Sequence, residues 1–211
     1  MQVFILLILS KLGWPSGSLP FFAIAINLWI TGGLHYDGLM DTADGIAAGP
    51  NRCSEAMKDS RVGASGIISL IMNIAVQIAV LIKLNSYFFF ALPIAYFWGR
   101  YSQIWAIGNY SYLHQNGYSE FHKSNWEGNI KESLPSIFCL LLITLLAFNL
   151  EIFDSFKIYF IGINLLGLII SFLIPKLLAK KLGGHCGDSY GASVVLVETS
   201  TLFLISIILP A

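Results

Sequence analysis

Charge is what this chain has least of. Only 11% of its 211 residues are Asp, Glu, Lys or Arg, against about 25% in ordinary soluble domains. Hydrophobic residues make up 56% and the mean hydropathy is +0.72. Together these exclude a typical soluble globule and predict an all-α, polytopic integral membrane helical bundle. There is no excess of positive charge either, because 12 basic residues balance 12 acidic ones. A nucleic-acid partner normally leaves a basic surface, so none is expected. Cysteine is scarce: Cys53, Cys139 and Cys186 are too few and too scattered for a disulfide framework or a zinc cage. Their odd number points to free thiols on a reducing side. A basic start is missing from the apolar stretch Met1–Ser10, and Lys11 follows rather than precedes it, so no cleavable signal peptide is expected. About ten residues do not span a hydrocarbon core as a helix. Residues 1–12 therefore read as an N-terminal partial helix, ended by Gly13-Trp14-Pro15-Ser16-Gly17. No repeat or second domain stands out, and residues 1–211 read as a single membrane-embedded domain.

About six spans are expected, over residues 19–34, 67–83, 87–107, 134–150, 157–175 and 191–210. Single crossings place the long connections 35–66, 108–133 and 176–190 on one side. These carry Arg52, Lys58, Arg61, Lys123, Lys131, Lys176, Lys180 and Lys181, whereas the short connections near 84–86 and 151–156 are bordered by Lys83 and Lys157. Cytoplasmic connections attract Lys and Arg, so the long set is expected to face the cytoplasm of a bacterial inner membrane.

Most of the remaining polarity is concentrated in one place. Gly32-Gly33-Leu34-His35-Tyr36-Asp37-Gly38-Leu39-Met40-Asp41-Thr42-Ala43-Asp44-Gly45 sets three aspartates at i, i+4 and i+7, one face of a helix. Like charges so close repel unless a cation intervenes. A hard divalent cation with oxygen ligands resolves the conflict, and Mg²⁺ in particular keeps waters and bridges phosphates. Asp37, Asp41 and Asp44 are thus the candidate metal ligands. His35 precedes Asp37 by two positions and faces nearly the other way on a regular helix. It is a candidate phosphate donor, proton shuttle or carboxylate orienter, or else a satisfied structural histidine.

Two further polar segments lie downstream. Met57-Lys58-Asp59-Ser60-Arg61-Val62-Gly63-Ala64-Ser65-Gly66 brings Lys58 and Arg61, which suit phosphate oxygens, and a fourth aspartate, Asp59. Gly183-Gly184-His185-Cys186-Gly187-Asp188-Ser189-Tyr190-Gly191 offers Asp188 and flexible glycines, Gly184 among them, to close over a phosphate or metal. Glu198 follows inside the last span, where an ionisable group is a functional candidate. Arg100, inside the third span, needs a partner or must snorkel to the interface.

These three blocks, in this order and spacing along nearly the whole chain, resemble the cobalamin synthase family, adenosylcobinamide-GDP ribazoletransferase. The resemblance rests on Thr31 through Gly45, on Met57 through Gly63 with Gly66, and on Gly183-Gly184, Gly187-Asp188, Gly191-Ala192 and Glu198. It implies a Mg²⁺-requiring membrane enzyme that joins adenosylcobinamide-GDP to α-ribazole, or its 5′-phosphate, and releases GMP. The ribazole 5′-oxygen then attacks the phosphorus nearer cobinamide. Asp37, Asp41 and Asp44 are expected to hold the metal, Asp59 to act as a further ligand or base, and Lys58 and Arg61 to neutralise the diphosphate. His35 joins this catalytic group, and Asp188, Gly184 and Glu198 are expected to contact substrate. Two departures stand out: most of the family's N-terminal segment is missing, and Val195 occupies a position where the family tends to carry an acid.

Three other readings compete. Asp41-Thr42-Ala43-Asp44-Gly45 fits the opening of the CDP-alcohol phosphotransferase motif, but the residues after Gly45 depart from it. Gly63-Ala64-Ser65-Gly66 looks like the nucleophile motif of rhomboid proteases, with His185 the nearest candidate base. A carboxylate-based cation transporter would explain the acids, although transporters usually place them near the midplane in related halves.

Overall fold

The computed structural model describes residues 1–113, 124–149 and 154–209, and within these the chain is helical. The helices are α1 (Gln2–Lys11), α2 (Leu19–Thr31), α3 (Leu34–Ala48), α4 (Cys53–Ala56), α5 (Ala64–Leu84), α6 (Phe88–Asn109), α7 (Asn129–Asn149), α8 (Asp154–Leu182) and α9 (Gly187–Ile208). The expected all-α membrane bundle is observed. Among the described residues, α5, Tyr159–Leu182 of α8, and α9 are long and apolar enough to cross a membrane. The pair α2–α3 makes a fourth span if its bend is counted within one crossing. The figure of about six spans stays an expectation. Lys123 and residues 151–153 of the expected short connection lie outside the described residues.

The bend comes from glycine. Pro20 sits in the first turn of α2, where its missing N–H costs nothing. Gly32 and Gly33 then adopt φ of +60° and +72°, a conformation that L side chains resist, and Gly33 N–H closes on the Leu28 carbonyl at 2.9 Å. The chain restarts as α3 at 90° to α2. The expected connection 35–66 is therefore largely a helix. At the other end, α8 runs through Pro175 to Leu182 rather than ending at 175. Lys180 and Lys181 lie in its last turn, where cations complement the helix dipole. The connection to α9 shrinks to four residues.

Helix α9 is the central post. Of its apolar window 61% is buried, against 22% for α5, and it packs on α3, α5, α6 and α8. Lipid tails are as apolar as leucine, so such helices associate mainly through close packing and polar links. Glycines provide the close approach. A Cβ on Gly191 would lie 3.1 Å from the His35 Cα, one on Gly38 2.5 Å from the Asp188 carbonyl oxygen, and one on Gly99 2.6 Å from the Glu198 side chain. The short helix α1 tucks against α2 with Leu6 fully buried, matching the expected partial helix.

Candidate active site

Helix α3 has two unlike faces. His35, Gly38, Thr42 and Gly45 are buried, Asp37 is exposed, and Asp41 and Asp44 are half-buried. The Gly38 contact brings the start of α9 against this helix, and Asp188 joins the acids. Asp37, Asp188 and Asp44 all act on the Asp41 carboxylate through their charges. The sequence segments carrying the acids are thus assembled at one place. Their carboxylates have the hard oxygen chemistry that suits Mg²⁺. Among the described residues, however, no three His, Cys, Asp or Glu side chains are gathered tightly enough to hold a metal ion. The donor set fits the ion in kind, and the side chains have to converge to bind it.

Asp44 has a second engagement. Its Oδ2 accepts the Gly63 N–H at 2.7 Å and its Oδ1 the Gly66 N–H at 2.8 Å. These are orphan donors at the start of α5, and the N-cap residue Gly63 has no side chain to satisfy them. One residue on, Gly45 receives the Met57 side chain, which leaves no room there for a Cβ. Both ends of segment 58–62 are therefore fixed to α3.

Within that segment Asp59 and Arg61 pair with each other. Arg61 Nε donates to Asp59 Oδ1 at 3.0 Å, Nη2 to Oδ2 at 2.7 Å, and the Arg61 backbone N–H also reaches Oδ1 at 3.0 Å. The Arg61 side chain and then its backbone hold the Asp59 carboxyl down at about 2. A carboxylate so acidic is a poor proton acceptor near neutral pH, which favours the role of counter-ion over that of base. Lys58 is exposed beside them.

Residues 1–206 match the family described as cobalamin-5-phosphate synthase. The chain belongs to that family. A relative from Prochlorococcus marinus strain SARG, named adenosylcobinamide-GDP ribazoletransferase, is 59% identical over 213 residues, covering 100% of this chain and 82% of the relative. Another of the same name from strain MIT 9313 is 46% identical with the same coverage. One from Trichormus variabilis is 36% identical over 95% of this chain and 79% of its own length. No solved structure matches.

The remaining candidates of this member of the cobalamin-5-phosphate synthase family lie away from the acids or are used structurally. His35 turns inward, and its Nε2 accepts a hydrogen bond from Arg100 Nη1 of α6, which leaves the ring proton on Nδ1. Its mismatch in phase with the aspartates is real. Glu198, expected to touch substrate, is buried with its side chain over Gly99, near Asn27 and within the field of Arg100. Gly184 packs against the backbone of Ser111, whose carbonyl oxygen would lie 2.7 Å from a Cβ. Hydrogen bonds His185 N–H to Ser111 O (2.9 Å) and Leu113 N–H to His185 O (2.8 Å) hold the two stretches of chain together there. In this arrangement Gly184 permits a close backbone approach.

The rhomboid reading loses its base. His185 is fully buried between Ser189 Oγ at 2.9 Å and the Pro175 carbonyl at 3.0 Å, while the Gly63–Gly66 motif is the capped start of α5. Sequence reasoning did not find the partners of α3's inner face. Tyr36 donates to Gln77 Oε1 at 2.9 Å, and Gln77 Nε2 donates to Thr199 Oγ1 at 2.7 Å. The available signal was the pair Asn73 and Gln77 in the apolar run of α5, since buried amides demand partners.

Proposed function

We propose that this chain transfers the cobinamide phosphate of adenosylcobinamide-GDP to α-ribazole or its 5′-phosphate, forming adenosylcobalamin or its 5′-phosphate and releasing GMP. The observation that carries the reading is the meeting of α3 and α9, which puts Asp188 beside Asp37 and Asp41, in a member of a family whose relatives bear this activity as their name. Phosphoryl transfer asks mostly for positioning and charge neutralisation. Mg²⁺ is the cofactor in this proposal, held by Asp37 and Asp41 with Asp188, and when bound it supplies neutralising charge to the diphosphate. Lys58 and the Arg61 guanidinium present cations from the segment tethered to α3. Asp59 keeps Arg61 oriented through its paired oxygens. The acids sit where α3 leaves the bundle, accessible to a water-soluble nucleotide, and the bias of Lys and Arg toward the long connections supports an opening on the cytoplasmic side of a bacterial inner membrane.

Two rivals fare worse. A CDP-alcohol transferase would use Asp44 within its D-x₂-D-G motif, whereas Asp44 here is bonded to two backbone amides. A transporter would line a pathway with acids, whereas His35, Tyr36, Gln77 and Thr199 in the interior of this bundle hydrogen-bond to other side chains. The test is direct: membranes containing the chain, given adenosylcobinamide-GDP, α-ribazole and Mg²⁺, should yield cobalamin and GMP in equal amounts. Ion flux in proteoliposomes with no GMP release would overturn the assignment.

A further inference from the structure

We propose that Asp44 is a positioning residue: its carboxylate caps α5 from across the helix pair and so fixes the cationic segment Lys58–Arg61 against the acidic face of α3. On this view Asp44 is set apart from Asp37 and Asp41, the neighbours with which its spacing groups it. The inference rests on the transferase reading above for its catalytic meaning, and on geometry alone for its structural one.

Three observations carry it. Both Asp44 oxygens are committed to backbone N–H groups, at 2.7 and 2.8 Å, whereas Asp37 is exposed. The two donors belong to glycines, and in each case a Cβ would sit 2.5 Å from an Asp44 oxygen, so the backbone closes directly on the carboxylate. Finally, the cap is one of two adjacent fixings, the other being Met57 lodged on Gly45 with the Cys53 sulfur beside it. The residues between these fixings are Lys58, Asp59, Ser60, Arg61 and Val62. A carboxylate at a helix N-terminus is also favoured by the helix dipole. Asp44 thus acts on the diphosphate through the segment it holds.

Capping and metal binding respond differently to amidation. Asn keeps one oxygen that can accept one of the two N–H groups, and its NH₂ cannot accept the other; it also lacks the charge a Mg²⁺ site requires. Asp44→Asn, which keeps one of the two capping bonds, is therefore expected to raise KM for adenosylcobinamide-GDP part of the way to the Asp44→Ala value, with an unchanged Mg²⁺ concentration for half-maximal rate. Asp44→Ala should raise KM for adenosylcobinamide-GDP with the same Mg²⁺ midpoint. Gly66→Ala, which leaves every acid in place but pushes on Asp44, should reproduce the Asp44→Ala pattern. A second readout needs no activity: amide hydrogen exchange at residues 63–66 of the full chain in detergent micelles should speed up in Asp44→Ala and Gly66→Ala, and not in Asp41→Asn. If Asp44→Ala does not accumulate, Asp44→Asn and Gly66→Ala still decide the matter. An Asp44→Asn enzyme whose Mg²⁺ midpoint moves as far as that of Asp41→Asn, or exchange at 63–66 unmoved by Gly66→Ala, overturns the proposal. Failure of the unaltered chain to make cobalamin would overturn the transferase reading, while the exchange result would stand on its own.

Discussion

Helix α3 carries two polar populations that obey opposite rules. On its inner face His35 meets Arg100 and Tyr36 meets Gln77 through hydrogen bonds. Gln77 passes the chain on to Thr199 of α9, and Glu198 beside it lies near Asn27 and within the field of Arg100. On the outer face Asp37, Asp41 and Asp188 crowd together with like charge. These inner-face links tie α3 to α5, to α6 and, through Gln77, to α9. The outer face gathers negative charge that a bound cation would neutralise. Polarity that is internally balanced builds the scaffold; polarity left unbalanced marks the chemistry.

The sharpest way to break this contrast is at Asp41. Asp41→Asn should lower the rate of Mg²⁺-dependent GMP release by about 10²-fold or more with little change in thermal unfolding, because removing one of several like charges relieves the native state. Full activity of this variant would dissolve the distinction between the faces. Next in size is Arg100→Met, which strips the cation that Glu198 feels and leaves His35 Nε2 without its donor. Loss of the charge-assisted hydrogen bond to His35 costs about 1.5–3 kcal/mol, visible as a lower unfolding temperature in detergent. Combining it with Glu198→Gln should recover some of the unfolding temperature, and no recovery would mean the two do not compensate each other. Gln77→Leu should cost about 1–3 kcal/mol by leaving the Tyr36 hydroxyl unpaired, and adding Tyr36→Phe should restore part of it. The smallest effect belongs to the exposed Asp59–Arg61 pair. A lowered carboxyl contributes above its ordinary value and loses that contribution as pH falls through about 2. Unfolding should therefore be indifferent to this pair from about pH 5 to about pH 9, and Asp59→Asn should appear in kinetics without a shift in unfolding temperature.

Much of this was legible in the chain and some was not, for identifiable reasons. The apolar runs of α5 and α9 declared themselves because about twenty predominantly apolar residues have few other uses. The acidic face of α3 was legible because helical spacing alone brings 37, 41 and 44 together. The extent of α8 was not, since Pro175 and the lysines at 176, 180 and 181 look like a span's end when the packing that sustains the helix is unseen. Asp44 was misleading for a similar reason: its spacing groups it with the other acids, and only the return of α5 shows that backbone amides claim it. Glu198 announced itself as important, but its direction could not be read. A carboxylate in a span points to function or to a partner, and here the partners are Asn27 and Arg100, from helices distant in sequence.

The crossing of α3 and α9 has a consequence for how far this enzyme can vary. Where Gly38 meets Asp188 and Gly191 meets His35, peptide rests on peptide with no side chain between. Side chains absorb error by changing rotamer; bare backbones have no such slack. The separation of the acids on the two helices is thus gauged by covalent geometry, like jaws of a caliper closed on a fixed stop. A methyl group at residue 38 would open the jaws and carry every carboxylate with them, so tolerance at the acids themselves is bounded by two residues that have no side chain at all.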